Sequence, residues 1–158
     1  MQASGTQQFD SSTNGRIQPM NTKLGNMALA VARSVYGLFI LLDGAGRVFY
    51  SIQGYPKPKF VQPAAEAFNS HVFANPFMDP LLGVSFIAAG LALFFNRTAP
   101  LGVAILLPSI IVIFFFHVFL TGEIVWGTCH LLFVLFLVWV YRRAFAPLWN
   151  YGSGVPEM

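Results

Sequence analysis

Charge is scarce in this chain: only 9% of its 158 residues are Asp, Glu, Lys or Arg, against about 25% in an ordinary soluble domain. A water-soluble fold of this size needs far more charge to cover its surface, which excludes soluble globular enzymes as a class. Cysteine is rarer still. The single Cys129 excludes an intramolecular disulfide framework and any CxxC metal or redox motif. No Lys/Arg run forms a stripe that could track phosphates, so the net charge of +3 carries no signal for nucleic acid. The isolated Gly37, Gly44, Gly46 and Gly90 lie in apolar segments rather than after a strand, so no nucleotide fingerprint is present. The alternating ten-residue segments of a transmembrane barrel are missing too.

What is there is apolar bulk. Hydrophobic residues make up 56% of the chain, with 17 Phe and 3 Trp among them, and the mean hydropathy is +0.63. That much apolar surface does not stay unfolded in water. The expected fold class is all-α and integral to a membrane: a bundle of four transmembrane helices with a short interfacial helix in the first long loop.

Residues 1–26 are polar and without apolar periodicity, which predicts a flexible tail and no secretory signal. Residues 27–149 carry four apolar segments, at about 27–50, 79–95, 100–120 and 124–145, each long enough to cross ~30 Å of hydrocarbon. Residues 150–158 form a second tail. Asp79-Pro80 reads as a cap followed by a first-turn proline, Pro108 predicts a kink in the third segment, and Arg142-Arg143 ends the fourth. Asn96 to Ala99 and Thr121 to Glu123 are tight hairpins, so segments two to four are expected as antiparallel neighbours. In the long connection, Ser51 to Met78, a short helix starts at Pro63 with Ala64, Ala67, Phe68 and Val72 on one side and stops before Pro76. Ser85, Ala88, Ala89 and Ala92 permit close helix contact in the second segment.

Arg16, Lys23, Arg33, Arg97, Arg142 and Arg143 fall on one side of this arrangement, and Arg47, Lys57 and Lys59 on the other. The excess places both termini in the cytoplasm and the long loop outside. Asn96-Arg97-Thr98, a formal glycosylation triplet, then sits in a cytoplasmic hairpin and is a chance match.

Ionisable groups inside apolar spans are costly, and each is a functional candidate. Asp43 and Arg47 are four apart on one helix face and can neutralise each other; a proton relay or a head-group contact at Asp43 is the sharper alternative. His117 and His130 flank the last hairpin at similar depth. With His71 in the long loop and Glu123 in the hairpin, they collect beside Asp43 and Arg47 at the outer side, whereas the cytoplasmic half is nearly bare except for terminal arginines. His117 and His130 are the candidate cofactor-binding pair. They can bond a quinone head group against the Phe114 to Phe116 wall, ligate haem, a pigment or a metal, or simply hydrogen-bond neighbouring helices. No catalytic residue is assigned. Cys129, on a different face from His130, reads as packing.

Several stretches resemble the DoxX-like family of small four-helix bacterial membrane proteins: VARSVYGLFILLDGAGRVF (Val31 to Phe49), NRTAPLGVAILLP (Asn96 to Pro108), FFFHVFL (Phe114 to Leu120) and VYRRAFAPLW (Val140 to Trp149). The likeness covers about residues 28–149. It departs at Ser85, where an acidic residue is common, at Val112, where Asn is, and at Gly46-Arg47, where Asn-Lys is. The resemblance implies a multi-pass protein of the bacterial inner membrane, in contact with lipids and with other integral subunits of a large complex. Its expected role is an accessory subunit of a respiratory or photosynthetic electron-transfer assembly. A quinone-reactive subunit, similar to thiosulfate:quinone oxidoreductase, with its site near His117 and His130, is the alternative; a small-ligand transporter is a further one.

Overall fold

The computed structural model of the chain describes residues 20–54 and 59–149. Every regular element among them is helical: α1 (Met20–Gln53), α2 (Pro63–Ala74), α3 (Met78–Phe94), α4 (Ala99–Phe116), a π turn (His117–Thr121), α5 (Ile124–Val140) and α6 (Arg142–Trp149). Prolines open helices where a missing N–H costs nothing: Pro63, Pro80 and Pro100 all lie in first turns. α4 is continuous through Pro108. Gly122, at φ +78°, ends the π turn, and its N–H returns to the His117 carbonyl at 2.9 Å.

The long helices pack α1 on α3, α3 on α4 and α4 on α5. The core between them is Ile40, Phe86, Ala89, Leu93, Val103, Leu106, Ile110, Val134 and Leu137, with Ala99 at its edge. The contact of α1 with α3 is built on glycine. A Cβ on Gly44 would lie 2.6 Å from the Gly83 carbonyl oxygen, and one on Gly90 would lie 2.7 Å from that of Gly37. Gly102 of α4 likewise approaches Ala89, Ala92 and Leu93 of α3. α1 and α5 meet instead through large rings, Tyr36 and Phe39 on one side and Trp126, His130 and Phe133 on the other.

Several expectations need correction. α1 already includes Met20 to Asn26, so the helix reaches into the stretch read as tail; residues 1–19 and 150–158 lie outside the described part. The fourth apolar segment stops at Val140. There the chain bends by 73° into α6, and Arg142 folds back over the Trp139 ring, 4.9 Å from its centroid, donating to the Trp139 carbonyl at 3.3 Å. Asp79 is not a cap: α3 begins at Met78, without a side-chain cap bond. In α2 Ala65 is buried, while Ala64 and Ala67 are exposed. In α3, Ala88 is exposed and the closest approaches are made by Gly83 and Gly90.

Two helical stretches are long and apolar enough to cross a membrane, Lys23–Gln53 and Ala99–Thr121, and a third qualifies if α5 and α6 count as one bent span; α3 is apolar but shorter. Their outward faces carry Val31, Val35, Leu42, Leu101, Phe119, Val125 and Leu132, all exposed. An apolar surface that extensive, on helices of this length, suggests a membrane protein.

Adding a methyl to the α1–α3 contact forces the two backbones apart. Gly44→Ala is expected to cost about 1–3 kcal/mol, read as a lower Tm in detergent. Gly25→Ala, in α1 with nothing within 4 Å of a Cβ, is expected to leave Tm unchanged or raise it slightly. Equal Tm for both variants would show that the glycine contact carries no weight.

Candidate functional site

Glycine-sized packing on one side of α1 and ring-sized packing on the other leave a cleft of about 740 Å³, within the usual range for small-molecule sites. Its walls come from α1, α3, α4 and α5, and include Phe39, Ile40, Leu82, Phe86, Ile110 and Trp126. Phe60, Phe68, Asn69 and Val72 close it from above. α2 is thus a cover over the cleft, fastened to the bundle through Gln62 and two Phe rings, with Glu66 bracing the segment before it. Gln62 donates to the Thr121 carbonyl at 2.9 Å, the Glu66 carboxylate accepts the Phe60 N–H at 2.9 Å, and Phe60 and Phe68 pack on Phe116.

Four of the six residues singled out from the sequence line this cleft: Asp43, Arg47, His117 and His130. Arg47 donates from Nε to Asp43 at 3.0 Å, the expected pairing across one helical turn. It also donates to Asp79 of α3 at 3.3 Å, and Ser51 donates to the other oxygen of that carboxylate at 2.9 Å. Asp43, Arg47 and Ser51 are four apart in sequence and share a face of α1, so a single stripe of the helix meets Asp79. The Arg47 guanidinium lies 5.6 Å from the Phe86 ring centroid. Asp79 is 3% exposed, a carboxylate kept in the apolar interior by these partners.

His117 opens the π turn. Its Nδ1 lies 3.1 Å from Thr121 Oγ1 and 3.6 Å from the Glu123 carboxylate. Glu123 itself stays at the rim, largely exposed. A π turn inserts an extra residue into a helix, and such turns concentrate at functional sites. His130 of α5 sits in a ring cage: Phe39 stacks on it at 5.3 Å, Trp126 meets it edge-on at 4.7 Å, and the Tyr36 hydroxyl approaches Nδ1 at 3.3 Å. His71 is elsewhere: exposed on α2, with its Nδ1 donating to the Ala67 carbonyl of its own helix. Cys129 is a free, exposed thiol.

The opposite end is not bare. Arg33, read from the sequence only as a topology signal, is 4% exposed and ties three elements together. It donates to Asn96 Oδ1 at 2.9 Å, to the Tyr141 hydroxyl and to the Phe94 carbonyl at 3.3 Å, and Tyr141 donates to Asn96 at 3.0 Å. Its buried Nε has no hydrogen-bond partner among the described residues. The sequence held no local signal for this cluster or for Asp79, since each joins residues more than 25 positions apart. The equal seven-residue spacing of Gly37/Gly44 and Gly83/Gly90 could have given the α1–α3 register from which Arg47 and Asp79 follow.

Chemically, the cleft is an apolar volume with an ion cluster and two imidazoles at its covered end. Among the described residues no group of three or more His, Cys, Asp or Glu is arranged to hold a metal ion. Removing the cation from the cluster exposes its dependence. Arg47→Met is expected to destabilise the protein by about 3 kcal/mol, because a buried carboxylate loses its charge partner. Asp43→Asn, at the more exposed carboxylate, costs about 1 kcal/mol or less. Thermal unfolding in detergent compares the two, and equal losses would contradict this ranking. At the other end, Asn96→Ala removes the acceptor shared by Arg33 and Tyr141 and is expected to cost about 1–3 kcal/mol; an unchanged Tm would show that the cluster is incidental. Comparisons with family models, with curated proteins and with solved structures yield no match for this chain.

Proposed function

We propose that the chain is a DoxX-like, four-span protein of the bacterial inner membrane that holds a lipid-soluble ring compound of the quinone type in its cleft, as a subunit of an electron-transfer assembly. The observation that carries this reading is the cleft itself: one apolar volume with His117 and His130 both in its wall. A subunit used only as a packing contact has no need of such a space, which is why we place ligand binding ahead of a purely structural role. Quinone-type rings fit its chemistry, with aromatic walls for the ring, an apolar length for a tail and two imidazoles for the ring oxygens. Haem ligation through the same pair of imidazoles uses the same geometry and is separated by its spectrum.

Support for four spans comes from length and packing. α3 and α5 have 17 residues each, at the lower limit of about 17 for a helix crossing hydrocarbon, and both lie alongside longer apolar partners. With four spans both termini share a side, and the Lys/Arg excess makes it the cytoplasm. The cleft and Glu123 then lie toward the outer face and the Arg33 cluster toward the inner one.

Protein purified from native membranes in mild detergent, extracted with organic solvent and analysed by mass spectrometry, is expected to yield about one quinone-type molecule per chain. Gly46→Trp adds bulk at a lining position with nothing within 4 Å of a Cβ, and is expected to abolish recovery of that molecule while the protein still folds. A Soret band in the purified protein would overturn the quinone assignment in favour of haem. Absence of any bound ring compound, with Gly46→Trp indistinguishable from the parent, would return the chain to a structural role.

A further inference from the structure

Hydrogen-bond accounting at the two histidines defines which form of a ring ligand the cleft accepts. Thr121 Oγ1 has one hydrogen to give and two lone pairs to offer. Its surroundings are the Glu123 backbone N–H at 3.2 Å, which can only donate, the His117 carbonyl at 3.2 Å, which can only accept, and His117 Nδ1 at 3.1 Å. The His117 carbonyl also accepts the Gly122 N–H at 2.9 Å, so the direction at Nδ1 is decided by the Glu123 carboxylate. A bare Nδ1 would set its lone pair against an acceptor 3.6 Å away, whereas Nδ1–H donates to Thr121 Oγ1 and the Thr121 hydrogen goes to the carbonyl. His117 therefore carries its proton on Nδ1 and presents a bare Nε2 lone pair.

His130 has the opposite arrangement. The Tyr36 phenol has one hydrogen, and among the described residues its only hydrogen-bond partner is His130 Nδ1 at 3.3 Å. A half-buried phenol hydrogen left unspent is costly, so Tyr36 donates and His130 Nδ1 accepts. The proton of His130 is then on Nε2, as a donor. The π turn sets the first tautomer and the α1–α5 ring cage sets the second.

We infer that the cleft selects ligands bearing a ring hydroxyl, a hydroquinone rather than a quinone or an ether, with His117 Nε2 accepting the hydroxyl hydrogen and His130 Nε2–H donating to a ring oxygen. A quinone has two acceptors and no donor, so it satisfies His130 and leaves His117 unanswered; a hydroquinone satisfies both. This rests on the ligand-binding reading above and adds the redox form of the ligand to it.

Two measurements on the full chain in detergent test it. Long-range 1H–15N spectra of protein labelled at histidine are expected to show neutral His117 as the Nδ1–H tautomer and His130 as the Nε2–H tautomer, assigned through His117→Gln and His130→Gln. The same tautomer at both positions would overturn the inference. A decyl-substituted benzohydroquinone is expected to bind about tenfold more tightly than its dimethyl ether, the size of one good hydrogen bond. His117→Phe is expected to erase that preference. Thr121→Val, which keeps the imidazole and removes the group that orients its proton, reduces the preference to about threefold. Equal binding of both probes to the unaltered protein would overturn the inference and leave the ligand-binding reading standing. Binding of neither would remove both.

Discussion

Gly37 and Gly44 of α1 lie so close to Gly90 and Gly83 of α3 that a methyl on any of the four would come within 2.6–3.0 Å of a carbonyl oxygen. Close approach on that side and rings of Tyr, Phe, Trp and His on the other make α1 lean toward α3 and away from α5. The difference between a glycine-sized and a ring-sized contact is the space that becomes the cleft. The same register brings Arg47 and Ser51 of α1 to Asp79 of α3, so the ion cluster at the covered end is a consequence of the glycine contact. In hydrocarbon, helices gain little from burying apolar surface against one another. Backbone approach through small residues and a few interhelical polar bonds then carry much of the specificity, and this chain uses one at each end: Arg47–Asp79 beneath α2, and Arg33–Asn96–Tyr141 at the far side.

Those two clusters differ in what surrounds them. The Arg33 cluster is closed, with the guanidinium locked against a carbonyl, an amide and a phenol. It is suited to holding three elements in place, including the bend at Tyr141. The other end opens onto the cleft, where Arg47, His117 and His130 have one side packed and one side free. α2 spans that opening and is tied to the π turn through Gln62 and to α4 through the Phe60 and Phe68 contacts with Phe116. A covered, one-sided polar end on an apolar volume matches a molecule that is mostly hydrocarbon with a polar ring at its tip.

How much of this was legible in the sequence divides along a physical line. Local periodicity and breakers gave the helices, the two short hairpins, the helix starting at Pro63 and the Asp43–Arg47 pair, because each is decided within a few residues. His117 and His130 were placed at one depth by counting along two helices from a hairpin. What sequence reasoning missed depends on which residue faces which across helices. Asp before Pro is a common helix start, yet the Asp79 carboxylate is drawn to Arg47. Arg33 in the sequence carries only a topology signal. The π turn, the 73° bend after Val140 and the burial of Ala65 in α2 leave no mark in local periodicity. His71 lies on α2, beside the site, and is not part of it: its ring bonds its own helix.

The central claim is that the space enclosed by α1, α3, α4 and α5 is a ligand site rather than loose packing. A cryo-electron microscopy map of the protein isolated from native membranes in lipid nanodiscs tests this most directly. The account requires a flat density with an apolar tail in the cleft, its polar end between His117 and His130 beneath α2. A cleft filled by collapse of α5 onto α1, or holding only acyl chains without a head group near the imidazoles, would contradict it.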